Sequence, residues 1–138
     1  MDILYRLGEI DRVAELLWKE GAASKVWAFH GPMGSGKTTL IHHLCDFLQV
    51  KGRVSSPTFA LINAYESPIA GTICHMDWYR LKNEAEAVQA GIQDSLQSGQ
   101  LCLVEWPENA PGLLERDTFR IYLEVLGGNK RRLATYLP

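Results

Sequence analysis

No stretch of this chain approaches the roughly 20 consecutive apolar residues that cross a bilayer. The N-terminus, M-D-I-L-Y-R-L-G-E, carries an acid where a secretory signal needs base. These two absences point to a cytoplasmic protein with no membrane role. Cysteine is scarce: Cys45, Cys74 and Cys102 stand far apart with no C-x-x-C pairing. That usage suits buried apolar fillers in a reducing compartment, not a disulfide framework. Basic excess is lacking as well. With 14 Lys and Arg against 16 Asp and Glu, the formal net charge is -2, which argues against a protein whose main business is wrapping nucleic acid. No repeat, low-complexity tract or Pro/Ser-rich linker divides the 138 residues, of which 46% are hydrophobic. A single domain, residues 1–138, is expected, large enough to bury roughly 70% of its unfolded surface.

What is present is an alternation of periods. Ile10, Val13, Ala14, Leu16 and Leu17 recur at helical spacing between Glu9 and Glu20, and Gly21 follows where a helix would stop. Val26-Trp27-Ala28-Phe29 is a short apolar run that reads as a buried strand. From Thr38 to Gln49, Leu40, Ile41, Leu44, Cys45, Phe47 and Leu48 again mark a helix. Pro57 pushes Ser56 out of the helical region, and Ala60 to Tyr65 then reads as a strand. Thr72 to Asp77 is a further strand, and residues 84–98 are helical in composition with Gly91 as a break. Leu101 to Glu105 is a continuous apolar run of the kind buried on both faces. Thr118 to Val125 alternates strictly, as does Arg132 to Leu137 beyond Gly127-Gly128-Asn129, which predicts a terminal antiparallel hairpin. The fold class is therefore α/β: a mostly parallel central sheet flanked by helices, with antiparallel strands and a C-terminal hairpin.

Gly31-Pro32-Met33-Gly34-Ser35-Gly36-Lys37-Thr38 matches G-x-x-x-x-G-K-[ST], the phosphate-binding loop. Glycines let successive N–H groups face an anion without Cβ interference, and the helix that begins at the lysine adds its positive end. A random chain of this length would match on the order of half a per cent of the time, and this match also follows a strand and precedes a helix. The chain is read as a P-loop NTPase. Gly31, Met33, Gly34, Ser35, Gly36, Lys37, Thr38 and Thr39 are the candidate nucleotide-binding residues, with Met33 and Ser35 contributing backbone alone and their side chains directed away. Lys37 would reach the β- and γ-phosphates, and the Thr38 hydroxyl would enter the shell of a Mg²⁺ ion. Thr39 reads as a helix residue, not a second metal ligand.

Two carboxylates end apolar strands, Asp77 after T-I-C-H-M and Glu105 after L-C-L-V, at the sheet edge where α/β proteins bind ligands. Either could hold the metal or orient an attacking water, and either could merely cap a helix or pair with an arginine. His75 shares a strand face with Asp77; a packed or hydrogen-bonded histidine is the favoured reading over a metal pair. Thr58, in Ser55-Ser56-Pro57-Thr58-Phe59, could belong to a switch segment or to an ordinary Pro turn. Asn129-Lys130-Arg131-Arg132 opens like the guanine-reading N-K-x-D but lacks the aspartate and falls in a hairpin turn, which disfavours GTP. Its three basic residues read as a solvated hairpin tip.

The loop G-P-M-G-S-G-K-T-T, S-P-T-F at 56–59, N-A-Y at 63–65, H-M-D-W-Y-R at 75–80 and V-E-W-P-E at 104–108 together resemble the bacterial TsaE (YjeE) family, over residues 9–126. That resemblance implies a small ATPase of tRNA threonylcarbamoyladenosine (t6A) synthesis using ATP and Mg²⁺. It also implies TsaD-like and TsaB-like partner subunits, tRNA reached indirectly through their complex, and hydrolysis that supports repeated turnover. Carried onto matching positions, Lys37 and Thr38 hold phosphate and metal, and Asp77 lies in the metal's shell. Thr58 belongs to the switch, and Glu105 is essential for hydrolysis; of the two carboxylates Glu105 is the favoured one to orient water, with Asp77 the alternative. Trp106, beside it, is a candidate reporter of nucleotide state. The rival readings are a small-molecule or nucleotide kinase, for which no arginine-bearing lid is evident, and a non-hydrolysing nucleotide-gated binding module.

Overall fold

The structure, a computed structural model, describes residues 1–52 and 62–138. Its element order is β1 (Asp2–Arg6), a 3₁₀ turn (Leu7–Glu9), α1 (Ile10–Gly21), β2 (Val26–His30), α2 (Lys37–Phe47), β3 (Ile62–Ser67) and β4 (Gly71–Asp77). The chain continues with α3 (Glu84–Gln89), α4 (Ile92–Leu96), β5 (Leu101–Glu105), two further 3₁₀ turns (Pro107–Asn109 and Pro111–Leu113), β6 (Phe119–Gly127) and β7 (Lys130–Tyr136). The seven strands form one sheet in the order β1-β7-β6-β2-β5-β4-β3. Strands β6, β2, β5 and β4 run parallel. Antiparallel pairs add β7 and β1 at one edge and β3 at the other.

The two core clusters follow from which strand face each helix covers. On one face α1 presents Ile10, Val13, Ala14 and Leu17, and α2 presents Leu40, Ile41 and Leu44, to Trp27, Phe29, Phe119 and Ile121 of the sheet. On the other face α3 and α4 bring Ala87 and Ile92 against Cys74, Met76, Cys102 and Val104. Each fully buried large apolar side chain contributes about 1.5–3 kcal/mol. All five residues of β5 are buried, as its unbroken apolar run predicts. The three cysteines are buried and free. Among the described residues no helix is long and apolar enough to cross a membrane.

One expectation gains a physical reason and another needs correction. Helix α1 stops at Gly21, as expected, and the absent side chain there admits the core rings. A Cβ there would lie 2.4 Å from the Phe119 ring and 2.8 Å from that of Trp27, whose indole N–H donates to the carbonyls of Gly21 at 3.1 Å and Ser24 at 3.0 Å. The basic run at 130–132 is not a uniformly solvated tip. Strand alternation sends Arg131 inward, where it is 9% exposed, and Arg132 outward, paired with Asp2 at 2.7 Å. Asn129 does lie in the hairpin turn, its carbonyl accepting from the Leu7 N–H at 3.0 Å.

Because β2, β5 and β4 are parallel neighbours, their carboxyl ends fall on one edge of the sheet. The glycine loop leaves β2 there, and Asp77 and Glu105 are cross-strand partners. The strand expected from Ala60 begins, within the described residues, at Ile62 and runs to Ser67.

Candidate nucleotide-binding site

The loop from Gly31 to Gly36 closes the gap between β2 and α2. Gly34 and Gly36 have φ of 78° and 102°, the left-handed region that favours glycine, and a Cβ at either would point into open space. The cradle is thus bare on the side where a ligand approaches. Gly31 differs: a Cβ there would come 2.6 Å from the Ser35 hydroxyl and 2.9 Å from the Leu123 carbonyl, so glycine is required for packing. The Ser35 side chain is buried beside Gly31, whereas that of Met33 is exposed. Arg131 reaches across from β7 and donates from Nε to the Ser35 carbonyl at 3.2 Å. That donor fixes the orientation of a loop carbonyl.

Lys37 is the first residue of α2 and is buried. Its ammonium donates to the Gly31 carbonyl at 2.5 Å and lies 3.3 Å from the centre of the Trp106 ring. Burial pulls its pKa down, and the carboxylates of Glu105, Glu108 and Asp77 oppose that shift. Thr38 follows, and its hydroxyl donates to Glu105 Oε1 at 2.7 Å. The other oxygen, Oε2, bonds His75 Nε2 at 2.7 Å, so His75 is hydrogen-bonded, as its favoured reading holds. Asp77 accepts from the Tyr79 N–H at 3.0 Å. Burial raises its pKa, with that N–H opposing. Thr39 is exposed on the cleft side of α2. Thr58 lies outside the described residues.

These groups line one open cleft of about 370 Å³, which Gly34, Gly36, Lys37, Thr38, Asp77 and Glu105 share with Trp106 and Arg131. The donor set fits a polyphosphate with a divalent cation: a bare backbone cradle, one ammonium, the hydroxyls of Thr38 and Thr39, and two neighbouring carboxylates. Among the described residues no three His, Cys, Asp or Glu side chains converge to hold a metal unaided. A cation here would therefore need oxygen ligands from the nucleotide and water, as magnesium commonly does.

The family model described as "Threonylcarbamoyl adenosine biosynthesis protein TsaE" matches residues 4–133. The chain belongs to the TsaE family. A Haemophilus influenzae protein named tRNA threonylcarbamoyladenosine biosynthesis protein TsaE is 36% identical over 105 residues, 75% of this chain and 65% of that relative, just under two thirds of its length. The protein of the same name from Rickettsia felis is 35% identical over 135 residues, 95% of this chain and 76% of its own. The crystal structure of Bacillus subtilis YdiB superposes with a TM-score of 0.73 at 22% identity, covering all of this chain and 87% of that one. The α/β architecture is thereby shared with a solved protein.

Arg131 is a participant that the motifs do not mark, whereas Trp106 is expected beside Glu105 and only its contact with Lys37 is not. Arg131 sits in a segment that reads as a basic turn; only the alternation of β7 distinguishes it from Arg132. Trp106 touches the lysine because its backbone is left-handed, with φ 58° and ψ 49°, a conformation that no sequence signal announces for tryptophan.

Proposed function

We propose that this chain is a Mg²⁺-dependent ATPase that supports t6A modification of tRNA together with TsaD-like and TsaB-like partner subunits. The observation that carries this reading is the hydroxyl of Thr38 bonded to Glu105 beside Lys37, at the mouth of a strand–glycine loop–helix unit. Backbone N–H groups of Gly31 and of Met33 to Thr39, with the Lys37 ammonium, would bind the phosphates, and Thr38 and Asp77 would hold the cation. Glu105 orients the attacking water, and Thr58 would serve as the hydroxyl of the switch segment. Bound Mg-ATP supplies the phosphoanhydride and charge neutralisation. The chain's own work is to cradle, orient and exclude competing acceptors. Membership in the TsaE family supports the pathway, and its relatives' names give the tRNA product.

The test is phosphate release from ATP with and without the partner complex. Lys37→Ala should abolish tight ATP binding, whereas Glu105→Ala should retain binding and lose turnover. Release that never rises above background with partners present leaves a nucleotide-gated binding module, and phosphate recovered on a small-molecule acceptor establishes a kinase. Equal rates in wild type and Glu105→Ala would remove Glu105 from the role given it here.

A further inference from the structure

Glu105 is held at both oxygens, and the two partners belong to different parts of the molecule. Thr38, on the nucleotide-binding helix, takes Oε1 at 2.7 Å, and His75, inside β4, takes Oε2 at 2.7 Å. A carboxylate only accepts, so the shared proton sits on Nε2 and the imidazole donates. Behind it, Nδ1 meets the Tyr65 hydroxyl of β3 at 3.2 Å. His75 is wholly buried and Glu105 is 3% exposed, so neither hydrogen bond competes with bulk water. An aliphatic side chain would pack beside Ile73 on this face at far less desolvation cost. The polar chain Tyr65, His75, Glu105, Thr38 runs instead from the far edge of the sheet to the phosphate loop across β3, β4 and β5.

We propose that His75, braced by Tyr65, is a positioning residue for Glu105. It anchors the carboxylate by Oε2 and thereby presents Oε1 to the cleft, where Thr38 and the terminal phosphate would meet. His75 touches neither nucleotide nor metal; it acts through Glu105. Without it the carboxylate is free to turn about its last torsion, and the direction in which its oxygen faces the cleft is no longer fixed. This inference rests on the ATPase reading above.

Two measurements test it, one of them independent of turnover. In nucleotide-free protein, ¹⁵N NMR of the histidine rings should show His75 as a single Nε2–H tautomer, and Glu105→Ala should convert it to a mixture. Wild-type His75 already present as a tautomer mixture overturns the proposal. In the phosphate-release assay with partners, His75→Ala should lower kcat about 10- to 100-fold while KM and the affinity for a fluorescent ATP analogue stay within about twofold. His75→Gln, which returns an amide N–H to the Nε2 side, should recover most of the loss. Tyr65→Phe, which keeps the ring, gives a smaller kcat loss with the same signature should His75→Ala fail to fold. A His75→Gln no better than His75→Ala, or affinity that falls in step with kcat, overturns the proposal. Absent turnover in wild type refutes the ATPase reading instead, and the tautomer then decides the positioning role by itself.

Discussion

The Lys37 ammonium is capped by the Trp106 ring, 3.3 Å from its centre, and tied to the Gly31 carbonyl on its other side. Both contacts occupy the group that a phosphate would claim. Trp106 can reach it because the chain turns left-handed on leaving β5, and Asn109 fixes the turn by donating to the carbonyls of Trp78 at 2.8 Å and Tyr79 at 3.0 Å. Tyr79 packs against the same indole with ring centres 5.0 Å apart. The nucleotide site and the start of the 3₁₀ turn at Pro107 are therefore one mechanical unit.

Of the four tryptophans, Trp106 alone lines the cleft; Trp27 and Trp78 are fully buried in the core. Saturating Mg-ATP should change the intrinsic emission, and Trp106→Phe should abolish that change. The phenylalanine keeps an aromatic face for Lys37, and a cation–π contact that competes with phosphate is worth about 0.5–2 kcal/mol, so affinity for a fluorescent analogue should hold or rise, by no more than about 30-fold. An ATP-dependent emission change that survives the substitution would place the reporter elsewhere.

Arg131 and Arg132 are adjacent in sequence and should behave oppositely when removed. Arg131→Ala leaves the carbonyls of Ser35, Gly128 and Lys130 without their guanidinium donor. Hydrogen bonds from charged groups contribute about 1.5–3 kcal/mol. Urea unfolding should show a loss in that range, and ATP-analogue affinity should drop because the Ser35 peptide can turn. Arg132→Ala breaks exposed pairs with Asp2 and Glu124, which are worth under about 1 kcal/mol, and should leave affinity unchanged. Equal effects from the two variants would show that Arg131 does not hold the loop.

How much of this was legible in the sequence depended on how local the determinant is. The glycine loop, α2 and β5 announce themselves because a phosphate cradle and a fully buried strand each need a contiguous residue pattern. Asp77 and Glu105 are found at strand ends, but their pairing across β4 and β5 depends on register. No pattern in the sequence marks strand β1. Ile3, Leu4 and Tyr5 are contiguous and do not alternate, and the partners are Leu133, Arg132 and Arg131 at the other end of the chain. Periodicity carries no information about a contact at that separation. The same limit hid Tyr65 behind His75, and Arg131 behind Ser35.

Gly21 gives a sharp test of the core because two effects have opposite signs. Replacing a helical glycine by alanine ordinarily gains about 0.5–1 kcal/mol of backbone entropy. Here the new methyl would lie 2.4 Å from Phe119 and 2.8 Å from Trp27, rings that are themselves packed edge to face with centres 5.0 Å apart. Overpacking of this kind costs about 1–3 kcal/mol and should win, lowering the urea midpoint. Gly8→Ala, with nothing within 4 Å of its Cβ position, should be neutral or mildly stabilising. A stabilised Gly21→Ala would mean that the two rings shift freely.

Acid should weaken the fold in two separate windows. His30 stacks on Tyr122 with ring centres 4.3 Å apart and 7° between planes. Its pKa is lowered from 6.5 by burial and then by the Arg120 guanidinium, which stands 3.3 Å from Nε2. Burial, then His75, lowers that of His42 in the same way. A histidine with a depressed folded pKa is protonated first in the unfolded chain, so its stability term is complete above pH 6.5 and is lost as pH falls toward the lower folded value. Asp2 acts further down: its hydrogen bond to Arg132 holds the carboxyl below 3.8, and that stabilisation disappears only as pH falls through the lowered value. Thermal unfolding followed from pH 8 to pH 3 should therefore show Tm level near neutrality, a first decline below 6.5 and a second below 3.8. His30→Phe retains the ring against Tyr122 and removes one titrating group, so its first decline should be shallower, with the His42 share remaining. Parallel curves for wild type and His30→Phe would assign the first decline to groups other than His30.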